Sequence, residues 1–290
     1  MKNFAYAAPA DVAEATKLLA AAAGKAKLLA GGTDIIVQLR EGLRDADLVI
    51  DVKKIPELME LINSPSGLRL GAAVPCHQIY ENGELAAAFP ALADATRIVG
   101  GWQIQSRASV GGNLCNSSPA GDTIPALIAH RATAVIVGPA GERKVDVAAF
   151  CTSPGKNVLQ PGELLVRLEL PALPRHSGSA YERFIPRNEM DIAVVGAASC
   201  VTLSSDGKTI AQATIAVGAA APTPKLAAEA SQWLAGKPAS EESFAHAGEL
   251  AKKIASPITD MRGPAEYRIH LVGVLVKRTL QNAAQRAASR

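Results

Sequence analysis

Hydrophobic and polar positions alternate on two periods along the first third of the chain. Short apolar runs give way to amphipathic stretches, the pattern of strand and helix units in turn. Residues 3–7 read as a short strand. Asp11 and Glu14 have the spacing of a capping box, which predicts a helix to about Ala23 with Gly24 as its stop. Val12, Leu18, Leu19 and Ala22 fit one buried stripe of that helix. Lys27-Leu28-Leu29-Ala30 reads as an apolar strand broken by Gly31-Gly32; a helix is predicted from Asp34 to about Glu41, and a buried strand from Ala46 to Val52.

The middle of the chain predicts a hairpin over Leu61 to Val74 around the turn Ser64-Pro65-Ser66-Gly67, then helices at about 76–88 and 90–100. A polar loop rich in Gly, Ser and Asn is expected from Ser106 to Asp122, followed by a helix with Pro125 in its first turn. Strands are predicted at Ala134–Val137 and Arg143–Val147, about the turn Pro139-Ala140-Gly141, and at Leu164–Leu170. Composition shifts over Pro171 to Ser179, which reads as a linker. Beyond it come strands near 179–185, 192–203 and 209–218, the last two joined by Ser205-Asp206-Gly207, and helices near 224–235, 240–254 and 264–286.

A length of 290 residues suits two or three small domains, and 48% apolar residues suit a packed globular chain. The formal charge of +3 leaves no nucleic-acid footprint, and Arg268, Lys277, Arg278, Arg286 and Arg290 read as a solvated helix face. No apolar run is long enough to span a membrane, and no leader-like stretch follows Met1-Lys2-Asn3. Cys76, Cys115, Cys151 and Cys200 lie far apart without a CxxC pair. A zinc or iron–sulfur site built from this chain alone is therefore not expected, and the thiols are expected reduced in a cytoplasmic protein. The five histidines form no HExxH, and no catalytic or metal-binding residue is predicted.

Two glycine segments carry the candidate chemistry. In Leu28-Leu29-Ala30-Gly31-Gly32-Thr33-Asp34-Ile35 a strand ends, two glycines turn the chain and a helix begins. Exposed amides at such a turn suit an anion, above all a pyrophosphate; the plainer reading is a strand–helix turn capped by Thr33 or Asp34. It does not match GxGxxG, so a Rossmann site is not supported. The second segment runs from Ser109-Val110-Gly111-Gly112-Asn113 through Asn116 to Asp122, about 80 positions later. Small polar residues there suit phosphates and a ribose, and a structural loop is the alternative. Together the two predict a diphosphate-containing cofactor gripped from two sides.

Both segments resemble the FAD-binding subunits of molybdenum hydroxylases, the medium subunits of carbon monoxide dehydrogenase and bacterial xanthine dehydrogenase. Phe4-Ala5-Tyr6 with Pro9, Met190-Asp191-Ile192-Ala193 and Glu266-Tyr267-Arg268 extend the resemblance over nearly the whole chain. It implies an α+β fold: two FAD-binding subdomains of the vanillyl-alcohol-oxidase (PCMH) type at 1–53 and 54–175, then a C-terminal domain at 178–290 with a three-stranded antiparallel sheet and helices. It implies that residues 28–35, Ser109, Val110, Gly111, Gly112, Asn113, Asn116, Asp122, Leu165, Arg183 and Val99 bind FAD. Without the resemblance, Leu165 reads as core and Arg183 as a strand-surface charge. Thr33 follows the glycines with no His near, so FAD is expected to be non-covalent. Arg107-Ala108 stands where relatives commonly have a Gly. The implied function is electron transfer from a [2Fe–2S] partner to an external acceptor. The implied partners are a large molybdopterin-binding subunit and a small [2Fe–2S] subunit, in a dimer of heterotrimers. A stand-alone flavin reductase of the UDP-N-acetylenolpyruvylglucosamine reductase type is the alternative, and a subunit that has lost flavin is a third reading.

Overall fold

The computed structural model describes residues 2–187 and 189–290. β1 (Ala5–Ala7), α1 (Val12–Ala21), β2 (Ala26–Leu29), α2 (Ile35–Arg40) and β3 (Leu48–Asp51) form a small unit whose parallel sheet has the order β1-β3-β2. Asp11 caps α1 by accepting from the Glu14 amide at 2.7 Å, while the Glu14 carboxylate accepts from the Ala10 amide at 3.1 Å. The Asp11 cap is the one the sequence spacing predicts, while the return bond from Glu14 goes to the residue before the N-cap.

A five-stranded antiparallel sheet follows. It contains β4 (Leu61–Ser64), β5 (Gly67–Gly71), β6 (Thr133–Gly138), β7 (Gly141–Asp146) and, beyond the hairpin β8 (Cys151–Ser153) and β9 (Lys156–Asn157), the central strand β10 (Leu164–Pro171); the order is β4-β5-β10-β6-β7. Six short helices precede β6: α3 (Cys76–Tyr80), α4 (Gly83–Ala88), α5 (Pro90–Thr96), α6 (Trp102–Gln105), α7 (Val110–Asn116) and α8 (Thr123–Ala129). β10 is apolar except at the paired Arg167 and Glu169, and its apolar side chains are buried on both faces of the sheet. Leu164 and Val166 pack with Ala15 and Ile50 of the first unit, whereas Leu165, Leu168 and Leu170 pack with Ile79, Leu92, Leu114 and Leu127. A register shift between Leu165 and Arg167 changes the alternation part-way.

The last unit is an antiparallel sheet of β11 (Ser177–Phe184), β12 (Val195–Leu203), β13 (Ile210–Gly218) and β14 (Lys225–Leu226), in that order, covered by α9 (Ala228–Leu234), α10 (Glu241–Ala251) and α11 (Ala265–Ala288). Four strands replace the three expected: β14 is only two residues long, too short to leave a periodic signal. No helix among the described residues is long and apolar enough to cross a membrane.

The larger departure lies at Ser106–Asp122, expected as a loop. Its middle, 110–116, is α7, capped by the Ser109 side chain, which accepts from the Gly112 amide at 3.0 Å. Val110 and Leu114, one turn apart, bury fully and draw the segment into helix against the low propensity of its glycines. The helix expected over 76–88 splits at Asn82, whose side chain caps α4, and the one expected over 90–100 ends at Thr96, ahead of Gly100 at φ +59°.

Candidate functional site

The first glycine segment leaves β2 and enters α2 without the usual capping. Asp34 occupies the N-cap position but its side chain makes no cap hydrogen bond. The amides of Gly31, Gly32, Thr33, Asp34 and Ile35 reach no protein acceptor among the described residues. Successive amides left open in this way form a concavity that takes an anion. Gly32 sits at φ +80°, a turn that a side chain would strain.

The second segment is brought up against the first by close backbone contact. A Cβ on Gly31 would overlap the Arg107 carbonyl and lie 2.9 Å from the Ala108 amide nitrogen. A Cβ on Gly111 would lie 2.5 Å from the Ala72 carbonyl oxygen. These two glycines therefore serve packing of chain on chain. Gly112 differs: only the Ser109 Oγ, at 2.9 Å, lies near its Cβ position. Its other side is open, and it opens on the cleft.

That cleft has a volume of about 810 Å³ and joins the two segments. Leu28, Ala30, Gly31, Gly32, Thr33, Asp34 and Ile35 line one side; Ser109, Gly111, Gly112, Asn113 and Asn116 line another; Val99 and Leu165 add apolar wall. Burial pushes the Asp34 carboxyl above its ordinary value. The size and the mix of apolar wall with a few converging polar groups are those of a small-molecule site.

Four of the expected residues do not line it. Leu29 packs beside Leu39 and Val49, and Val110 packs in the core around β5, β6 and β10. Asp122 and Arg183 meet each other instead, Arg183 donating to the Asp122 carboxylate at 2.6 Å and the Tyr181 hydroxyl donating to its other oxygen at 2.8 Å. Burial pushes Asp122 up to about 6, with Arg183 and Tyr181 opposing the rise. The pair ties the start of α8 to β11, and Arg183 also lines a second cleft, of about 690 Å³, with Asp94, Arg97 and Arg286.

Sequence reasoning missed other lining residues. Gln38 lines the cleft and donates to the Asn116 side chain at 3.2 Å, joining α2 to α7. Asn157 also lines it and donates to the Cys115 carbonyl at 2.9 Å. Lys27, Arg44 and Lys156 bring positive charge to the lining. The turn signal Ser153-Pro154-Gly155 was available to reveal the β8–β9 hairpin that carries Lys156 and Asn157. A dinucleotide with a diphosphate and two aromatic ring systems fits these residues: open amides and cations for the phosphates, apolar wall for the rings.

Residues 2–173 match the family described as the FAD binding domain in molybdopterin dehydrogenase, and residues 179–283 match the CO dehydrogenase flavoprotein C-terminal domain. The chain belongs to the FAD-binding medium subunits of the molybdenum hydroxylases. The xanthine dehydrogenase FAD-binding subunit of Escherichia coli O157:H7 is 32% identical over 293 residues, covering 100% of this chain and 99% of that one. The carbon monoxide dehydrogenase medium chain of Hydrogenophaga pseudoflava is 31% identical over 286 residues, 99% of each. Among solved structures, carbon monoxide dehydrogenase from H. pseudoflava lacking the Mo-pyranopterin moiety matches with a TM-score of 0.93 at 32% identity over 98% of each chain. Quinoline 2-oxidoreductase from Pseudomonas putida 86 matches with a TM-score of 0.90 at 29% identity over 99% of each. As a medium subunit the chain is the flavoprotein component of an oxidoreductase complex.

Proposed function

We propose that this medium subunit holds FAD non-covalently, receives electrons from a [2Fe–2S] partner subunit and passes them to an external acceptor. The observation that carries the reading is the run of open amides at residues 31–35 on one cleft with Gly112. Bound FAD would supply a store for two electrons that arrive singly from an iron–sulfur cluster.

The chain's own residues bind and orient. The amides of residues 31–35 and the cations Lys27, Arg44 and Lys156 would hold the diphosphate, and Leu28, Val99, Ile104 and Leu165 would cover ring surface. Ser109, Asn113 and Asn116 would complete the polar wall. Asp122 and Arg183 stand outside this cleft and pair with each other, and we assign them to holding α8 against β11. Cys115 lines the cleft, but burial pushes its thiol up to about 12, so it stays protonated and a poor nucleophile; this supports non-covalent binding.

The parallel sheet and the antiparallel sheet about the cleft support the vanillyl-alcohol-oxidase type of FAD fold, divided at 1–53, 54–175 and 178–290. The partners of this reading are a large molybdopterin-binding subunit and a small [2Fe–2S] subunit, assembled as a dimer of heterotrimers in the cytoplasm. The match of residues 179–283 to the flavoprotein C-terminal domain favours this over a stand-alone reductase. Expressed alone, the chain is expected to carry a flavin absorbance band that acid precipitation releases, and expressed with its partners to co-purify with iron and molybdenum. A colourless chain that takes up no FAD on titration overturns the reading.

A further inference from the structure

Two consecutive carbonyls of the first glycine segment are each held by a cation from a different part of the chain. Lys53 Nζ donates to the Ala30 carbonyl at 2.9 Å and to Asp51 Oδ1 at 2.7 Å. The other Asp51 oxygen accepts from the Tyr6 hydroxyl at 2.9 Å. Arg107 Nε donates to the Gly31 carbonyl at 3.2 Å. Neither Lys53 nor Arg107 lines the cleft.

The consequence follows from the planarity of the peptide. In a trans peptide the C=O of one residue and the N–H of the next point in opposite directions. The Ala30 carbonyl turned onto Lys53 directs the Gly31 amide the other way, and the Gly31 carbonyl turned onto Arg107 does the same for the Gly32 amide. Both amides are without protein acceptors among the described residues, and both glycines line the cleft. Glycine peptides flip easily, because no Cβ penalises the alternative φ and ψ. A flipped Gly31–Gly32 peptide would present a carbonyl oxygen to the diphosphate and repel it.

We propose that Lys53 and Arg107 are positioning residues, two cationic latches that fix the Ala30–Gly31 and Gly31–Gly32 peptides with their N–H groups toward the diphosphate. This rests on the FAD reading above. The latches act on the backbone and do not touch the cofactor. Arg107 meets the turn twice: its carbonyl abuts Gly31 while its side chain holds the Gly31 oxygen.

The test titrates FAD and ADP into the flavin-free chain and into Lys53→Ala, Arg107→Ala and Arg107→Lys. Each alanine variant is expected to weaken FAD and ADP alike by about tenfold, the scale of one charge-assisted hydrogen bond, and Arg107→Lys to recover most of the loss. In chain labelled with ¹⁵N-glycine, the Gly31 and Gly32 amide signals are expected to shift on ADP addition in the parent and far less in Arg107→Ala. Arg107 is exposed, so this variant is expected to melt with the parent even if Lys53→Ala is less stable. Unchanged FAD and ADP affinity in Arg107→Ala overturns the inference. So does a loss that lysine does not rescue while both glycine signals still shift as in the parent. A parent chain that binds neither FAD nor ADP removes the functional reading instead, and the two failures are thereby distinct.

Discussion

Gly112 and Gly31 are both glycines on the same cleft, yet the structure predicts opposite consequences for replacing them. Gly112 is the third residue of α7 and does not need a positive φ. Alanine there gains about 1 kcal/mol of helix propensity. Its Cβ meets only the Ser109 Oγ, at 2.9 Å, and displacing that cap costs about 1 kcal/mol. The two offset, so Gly112→Ala is expected to leave the melting temperature of the flavin-free chain almost unchanged. The same methyl fills the open side of Gly112 and holds the diphosphate away. Loss of one or two hydrogen bonds to a charged group, roughly 1.5–3 kcal/mol each, raises the Kd for FAD at least tenfold.

Gly31→Ala is different, because its Cβ overlaps the Arg107 carbonyl and only backbone can give way. Overpacking of that kind costs about 1–3 kcal/mol, and at roughly 2–4 °C per kcal/mol the melting temperature falls by several degrees. Differential scanning fluorimetry on the flavin-free variants and quenching of FAD fluorescence separate the two effects. The division of roles fails if Gly112→Ala binds FAD as the parent does, or if Gly31→Ala melts with the parent.

The buried pair of Asp122 and Arg183 makes a second prediction: Arg183→Met strands a buried carboxylate and is expected to destabilise the chain by about 3–5 kcal/mol in urea unfolding, much of it recovered in Asp122→Leu/Arg183→Met. A single variant as stable as the parent refutes the coupling. His130 sets an acid limit. Its Nε2 lies 3.1 Å from the Ser179 Oγ, and burial pushes the imidazole down from 6.5 to about 4. Its contribution is therefore full above pH 6.5 and is lost as the pH falls through 4, amounting to roughly 3 kcal/mol. Thermal melts from pH 7 to pH 4 should show this loss in the parent and a shallower slope in His130→Gln; equal slopes sink the assignment.

What the sequence showed and what it hid divide along the range of the interactions concerned. Gly32 was legible because a strand–helix turn at φ +80° accepts few residues besides glycine, and the Asp11 cap on Glu14 because its partners are neighbours. The segment at 110–116 misled for the same reason. Glycine disfavours helix locally, and what overrides it is tertiary: Gly111 fits against Ala72 only without a Cβ, while Val110 and Leu114 bury beneath it. One sign was in reach, since Val110 and Leu114 are spaced one helical turn apart behind a serine. The Asp122–Arg183 pair, 61 positions apart, had no local sign, nor had the latches from Lys53 and Arg107. Each side chain alone reads as an ordinary surface charge. Only folding sets the two cations against successive carbonyls, and the direction of those carbonyls decides whether the glycine turn offers amides or oxygens to an anion. A motif search can therefore find the glycines of such a site, but the polarity of the turn they build is set by residues that the motif does not contain.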